Sequence, residues 1–275
     1  MENLCADLHI HSSFSDGTFS PQELVKKAQK LGLSCIAITD HDCVDAIEPA
    51  LNSPLGDSVE VVPAVELSAE VDNIETHILG YFIDYKNEQF TEKLKLLCKA
   101  REERMHKMVE KLNALGIKIN VEEVLEFSKT TAVGRPHIAR LLVKKGFVKT
   151  ISEAFRKYIG NQGPCYVKRM RLSPGEAIGM IKQNKGIAVL AHPYNMHNDN
   201  LIIDLVKDGL EGIEVYHPDH PARLITHYLE IAKLHSLLVT GGSDCHGLGN
   251  GKIALGSIKI PYELVEKLKE RSNEA

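Results

Sequence analysis

The chain has 275 residues, 43% hydrophobic and 25% charged, which suits one large α/β domain or one domain carrying an insertion. With 33 Lys and Arg against 37 Asp and Glu the net charge is −4, which argues against a broad basic surface for long duplex DNA but not against a local basic pocket. No apolar run of about 18 residues is present to span a membrane. The start, Met1-Glu2-Asn3-Leu4, has neither region of a signal peptide, and the six cysteines show no CxxC pair, so reduced thiols in the cytoplasm are expected.

Short apolar runs alternate with helical patterns from the start. Cys5–Ile10 reads as the first strand. Ser20-Pro21-Gln22-Glu23 is a capping box with proline at the first helical position, and the helix it opens stops at Gly32. Strands are expected next at residues 34–39, 59–65 and 77–83, several of them continuous β-branched runs of the kind parallel neighbours bury on both faces. From about residue 87 to 163 helical periodicity takes over. Phe90, Leu94, Leu97, Met105, Met108 and Leu112 make one stripe, read as the core of this segment, with Arg101 and Arg104 beside it as solvated charges. Shorter helices are expected near Val121–Ser128, 136–145 and 151–159. The capping box returns as Ser173-Pro174-Gly175-Glu176, and strands follow at 186–191, Gly212–Tyr216 and 237–240. Seven strands with intervening helices predict an α/β fold, a (β/α) barrel or close variant, from residues 1–86 and 164–275. Residues 87–163 form a helical insertion domain.

Residues that bind metals recur at the ends of these strands. In His9-Ile10-His11 the two imidazoles share one face of a strand, and Asp16 follows in the next loop. The second strand ends in Thr39-Asp40-His41-Asp42, the third at Glu66, and the fourth begins with His77. His192-Pro193 ends the fifth and Ser243-Asp244-Cys245-His246 the last. Each motif alone has an ordinary explanation as a turn or a solvated side chain. Together they converge on the face of a barrel where active sites lie. So many imidazoles and carboxylates in one place are costly unless cations neutralise them, and the mixed donors suit Mn²⁺, Zn²⁺ or Fe²⁺. No GxSxG, P-loop or GxGxxG sequence supports acyl transfer, NTP hydrolysis or dinucleotide chemistry.

These motifs, with Ser15-Asp16-Gly17, His77-Ile78-Leu79-Gly80 and Ala191-His192-Pro193, resemble those of the PHP (polymerase and histidinol phosphatase) family. Their order and the helical insertion resemble its TrpH/YciV-like branch. The resemblance covers essentially the whole chain and implies a distorted seven-stranded barrel of the amidohydrolase-like group. It implies two to three divalent metal ions, Mn²⁺ first, with Fe²⁺, Zn²⁺ or Mg²⁺ open. His9, His11, Glu66 and Asp244 would hold one ion, Glu66 would bridge to a second held by His77 and His192, and Asp16, His41 and His246 would form a third site. Asp16 stands where many family members have histidine. Paired ions about 3.5–4 Å apart hold a bridging hydroxide that attacks phosphorus, here on Glu66, with Asp16 or His217 as candidates for proton transfer.

Arg135, before the helix-starting Pro136, is a candidate phosphate contact beside free amides at a helix N-terminus. Tyr166 and Lys168 are further substrate candidates near Arg169, and His217 ends the sixth strand. His106, His137, His197, His220, His227 and His235 are read as surface or core histidines. The implied activity is hydrolysis of phosphate esters in a small nucleotide or short oligonucleotide: a nucleoside 3′,5′-bisphosphate phosphatase, or a 5′–3′ exonuclease on short RNA. A histidinol-phosphate phosphatase and a non-catalytic metal-binding module are the alternatives.

Overall fold

The computed structural model describes residues 4–53, 58–128, 130, 132–250 and 253–274, so Met1–Asn3 of the segment quoted above lie outside the described residues. Strand β1 (Cys5–Ile10) leads into helix α1 (Pro21–Lys30), where Ser20 and Glu23 form the expected capping box. β2 (Cys35–Ile38), α2 (Ile47–Leu51), β3 (Glu60–Val71) and β4 (Ile74–Tyr81) follow. The helical segment comprises α3 (Glu88–Ala114), α4 (Val121–Ser128), α5 (Arg135–Lys144), and α6 (Ile151–Ala154) running into a π-helical turn at Phe155–Ile159. The chain then returns through α7 (Pro174–Gln183), β5 (Ile187–Leu190), α8 (Asn200–Lys207), β6 (Gly212–Tyr216), α9 (Ala222–Leu234) and β7 (Leu238–Gly241). It ends with β8 (Ile260–Pro261) and α10 (Glu263–Glu274).

The strands form one eight-stranded sheet in the order β7-β6-β5-β4-β3-β2-β1-β8, curled into a nearly closed barrel. β8, two residues long and antiparallel to β1, adds to the expected seven. β1–β2, β2–β3, β5–β6 and β6–β7 pair parallel as expected, but β3–β4 and β4–β5 pair antiparallel. The reason is local. Asp72 and Asn73 both have positive φ, 50° and 63°, which makes the two-residue hairpin turn whose twist suits antiparallel strands. At the seam, Ile10 bridges Cys245, and the His11 amide donates to the Cys245 carbonyl at 2.9 Å. A Cβ on Gly242 would collide with the His9 backbone, so only glycine lets the end of β7 approach β1 this closely.

Small and large apolar side chains fill the barrel, among them Ala6, Leu8, Ala37, Ala64, Leu79 and Val189. Tyr81 reaches across it, its hydroxyl donating to the Leu8 carbonyl at 2.9 Å. A separate apolar cluster joins α3, α4, α5 and α6. Helix α3 serves both cores: Phe90, Leu94 and Leu97 pack into the barrel's helix layer, while Met105, Met108 and Leu112 belong to the second cluster. The expected boundary at residue 87 therefore opens onto a shared helix. No helix among the described residues is long and apolar enough to cross a membrane.

Candidate metal centre

The C-terminal ends of β1, β2 and β5, the middle of the β3–β4 hairpin and the loop after β7 deliver their side chains to one place. Four groups of ligand atoms, each mutually within 4.8 Å, are His11-Asp16-His41-His246, His9-His11-Asp244, His9-Glu66-His192 and His41-Glu66-His77. Between them they contain every residue named above as a candidate metal ligand. Glu66 is central. Its Oε1 lies 2.7 Å from His77 Nδ1 and 3.2 Å from His192 Nε2, while Oε2 lies 2.9 Å from His41, 3.2 Å from His11 and 3.5 Å from His9. A fully buried carboxylate whose two oxygens face different sets of imidazoles has the geometry of a bridging ligand. The grouping departs from the expected partition in that His192 gathers with His9, and His77 with His41.

The electrostatics agree with a cation site. Burial alone would raise the Glu66 carboxyl, but His77, His41 and His9 hold it well below the usual range. Burial also opposes ionisation of Asp16, yet His246 and His41 keep it well below the usual range. Burial opposes charge on His11, but the neighbouring carboxylates of Asp244 and Glu66 raise it to about 10. Among the described residues, His11 Nδ1, Asp16 Oδ1, His41 Nδ1, Glu66 Oε2, His77 Nε2 and His217 Nε2 are buried with no hydrogen-bond partner. Such orphaned donors and acceptors are rare. That many facing one centre, all from metal-binding residue types, fits divalent ions of borderline character.

Supporting side chains hold these ligands. His9 Nδ1–H donates to Glu214 Oε1 at 2.9 Å, and the His192 amide donates to Glu214 Oε2 at 2.8 Å. This leaves His9 Nε2 facing the centre, the usual way a carboxylate selects the tautomer of a ligand histidine. Sequence reasoning missed Glu214. Its signal was a lone acid in the apolar strand Gly212–Tyr216, and it is fully buried. Asp40 takes the Ser12 amide at 2.7 Å and the Ser15 hydroxyl, bracing the loop after His11. Asp7 takes the Ser243 amide at 2.8 Å and fixes the loop that carries Asp244. Asp42, His192 and Asp244 have positive φ, 52°, 26° and 48°, each a conformation costing about 1–3 kcal/mol and typical of functional sites.

His41, His77 and His192 also line a cavity of about 670 Å³, together with Arg101, Arg104, Arg135 and Arg169. This corrects the reading of Arg101 and Arg104 as solvated. Both are 8% exposed, because they lie on the inward stripe of α3 where the two cores part. Arg101 Nε donates to Asp42 Oδ2 at 2.7 Å. Arg135 lines the cavity but is held by Glu75 at 2.9 Å and Asn161 at 2.7 Å. The start of α5 offers fewer free amides than expected. Gly134 N–H donates to His137 Nδ1, the His137 amide donates to the Gly134 carbonyl, and Pro136 has none. Tyr166 stacks under Arg104 at 5.3 Å, and exposed Lys168 pairs with Glu70 at 2.9 Å; neither lines the cavity. His217 is buried 3.6 Å from Asp244 Oδ2. His137 and His220 are buried, and His197 stands exposed at the cavity mouth.

Comparison with known proteins decides the family. The PHP domain pattern matches residues 7–121. The chain is 33% identical to the 3′,5′-nucleoside bisphosphate phosphatase of Chromobacterium violaceum, over 89% of this chain and 88% of the relative. The chain belongs to the PHP family. It is 32% identical to the 5′–3′ exoribonuclease Rnm of Escherichia coli, over 87% of this chain and 84% of that one. It is also 32% identical to a phosphoribosyl 1,2-cyclic phosphate 1,2-diphosphodiesterase of Eggerthella lenta, over 88% of this chain and 94% of that one. A Bifidobacterium adolescentis protein assigned to the metal-dependent phosphoesterases superposes with a TM-score of 0.90 at 33% identity, covering 97% of this chain and 96% of its own. An amidohydrolase from Chromobacterium violaceum, solved with sulfate and without metal, superposes with a TM-score of 0.85 at 31% identity, over 97% and 96% of the two chains. This PHP protein is accordingly a metal-dependent hydrolase of phosphate esters.

Proposed function

We propose that this PHP protein removes phosphate from a small nucleotide carrying a further phosphate, a nucleoside 3′,5′-bisphosphate or the 5′ end of a short RNA. The observation that carries this reading is a cavity lined both by candidate metal-ligand side chains and by guanidinium groups. A substrate with two phosphates would fit that lining, and the names of the relatives agree with it. Two or three divalent ions would bind, Mn²⁺ foremost. His9, His11 and Asp244 would hold one, His77 and His192 a second with Glu66 between them, and Asp16, His41 and His246 a third.

Bound ions of this kind acidify water and neutralise charge on the reacting phosphate. The chain's own residues set the geometry. Glu66 presents one oxygen to each ligand set, and Glu214 orients His9. Asp16, kept ionised by His246 and His41 against its burial, is suited to bind a cation or accept a proton, not to donate one. His217 Nε2 lies 3.6 Å from Asp244 Oδ2, so its part is to steady that carboxylate. Remote binding energy would hold the reacting phosphorus in line.

The test is phosphate release from a panel after reconstitution with Mn²⁺: nucleoside 3′,5′-bisphosphates, a 5′-phosphorylated RNA trimer, histidinol phosphate and p-nitrophenyl phosphate. The bisphosphate or the trimer should be turned over fastest. Faster turnover of histidinol phosphate would overturn the assignment.

A further inference from the structure

The loop between β1 and α1 carries Asp16, and two different parts of the chain hold it. On the barrel side, Asp40 accepts the Ser12 amide at 2.7 Å and the hydroxyls of Ser12 and Ser15, so it engages the loop through its donors. The loop also closes on itself. The Gly17 amide donates to the Ser12 carbonyl at 2.9 Å, and the Ser13 amide to the Phe19 carbonyl at 2.8 Å. A Cβ on Gly17 would collide with the His11 carbonyl, so the chain turns tightly over the strand end that bears the two imidazoles. Two of the loop's acceptors are taken by the helical insertion. Thr130, between α4 and α5, donates its hydroxyl to the Phe14 carbonyl. Arg140, on α5, donates from Nη2 to the Asp16 carbonyl at 2.6 Å.

The Asp16 carboxylate is 4% exposed. Its Oδ1 lies 3.2 Å from His246 Nε2 and 3.9 Å from His11 Nδ1, and its Oδ2 lies 3.9 Å from His41 Nε2. A carboxylate on so short a side chain goes where its backbone goes, and metal–ligand distances hold to within about 0.2 Å. Whatever fixes the Asp16 carbonyl therefore fixes the place of its oxygens among the imidazoles. A guanidinium donor makes a stronger bond to that carbonyl than a neutral group would. Burial opposes charge on Arg140, and the nearby Asp16 carboxylate favours it, so the two groups hold each other in place.

We propose that Arg140 is a positioning residue for the cation site of Asp16, His41 and His246, acting with Thr130 to fasten the Asp16 loop to the insertion. The proposal rests on the reading of those three side chains as a cation site. It gives the insertion a second task besides lining the cavity: the affinity of one ion depends on how α5 is docked against the barrel.

The experiment dialyses wild type, Asp16→Asn, Arg140→Met and Arg140→Lys against graded Mn²⁺ and counts bound Mn²⁺ per chain by elemental analysis. This readout needs no turnover, so it stands whatever ester the centre hydrolyses. Asp16→Asn marks the binding step that depends on the carboxylate. Arg140→Met should move that same step to about 10- to 100-fold higher Mn²⁺, the range for groups that orient ligands, and leave the other steps in place. Arg140→Lys, which keeps one charged donor, should recover part of the shift. An unmoved step in Arg140→Met, or an equal loss at every step, overturns the proposal. If Asp16→Asn alters no step, the cation reading of Asp16 fails, and hydrogen exchange decides the positioning by itself. Faster exchange at the amides of Ser13 to Gly17 in Arg140→Met, with the loop after β7 unchanged, then supports it, and equal exchange overturns it. Urea midpoints of the variants in Mn²⁺ separate these effects from unfolding.

Discussion

Glu66 shows how a single buried carboxylate organises the centre, since its two oxygens face imidazoles from four different strands. Glu66→Gln replaces one of those oxygens by an amide that cannot ligate a cation. It should lower turnover more than about a hundredfold and strip at least one ion, because a ligand shared by two ions is lost along with a charge. Elemental analysis with full metal content and normal turnover would remove Glu66 from its bridging place. Glu214 is fully buried, and it fixes the tautomer of His9 and holds the backbone of His192. Glu214→Gln should weaken metal affinity about 10- to 100-fold, the range for groups that orient ligand histidines. Competition titration with a metal indicator checks it, and unchanged affinity would show that His9 needs no such support. The candidate ligands that the structure gathers were legible in the chain because their residue types are costly to bring together without cations. Glu214 was not, because an acid inside a strand acquires meaning only when its neighbour across the sheet is known.

At the level of elements, the segment between β4 and α7 behaves as periodicity says it should, apart from two side chains. The stripe on α3 was read through its apolar members alone. Arg101 and Arg104 occupy the same face, at the point where the barrel core gives way to the second cluster. No helical wheel shows that such a gap opens onto a cavity. Helix α5 carries a different device. His137 is 2% exposed, accepts the Gly134 amide and is lowered to about 4, chiefly by burial, with Arg140 adding to it and Asp16 opposing. The unfolded chain takes up this proton near the ordinary pH of about 6.5, whereas the folded chain refuses it until about 4. The stabilisation is therefore complete above about pH 6.5 and is lost as pH falls through that window. By pH 5 the loss should be about 2 kcal/mol. His137→Gln should flatten the difference between urea midpoints at pH 7 and pH 5 by that amount. Parallel pH profiles for variant and wild type would mean that His137 takes up its proton without cost.

For the molecule as a whole, the candidate ligands come from the first five strands and the loop after β7, so bound ions tie together both ends of a sheet that hydrogen bonds alone leave nearly closed. Anything that binds only the folded state stabilises it, by about 2.7 kcal/mol per site at a hundred times its Kd. Chelation should therefore lower the Tm by several degrees as well as abolish activity, and added Mn²⁺ should restore both. A Tm indifferent to chelator would place the ions outside the fold's support. By itself, the sequence determined the alternation of strand and helix, both capping boxes, the helical insertion and the residues gathered at the centre. These depend on local propensity, on side-chain periodicity and on the expense of burying charge, all of which are written along the chain. Only the tertiary structure decided the antiparallel hairpin of β3 and β4, the eighth strand, the support from Glu214 and the turning inward of Arg101, Arg104 and Arg169. Each of these depends on which strand lies beside which and on where two cores leave space between them, and a linear pattern carries neither.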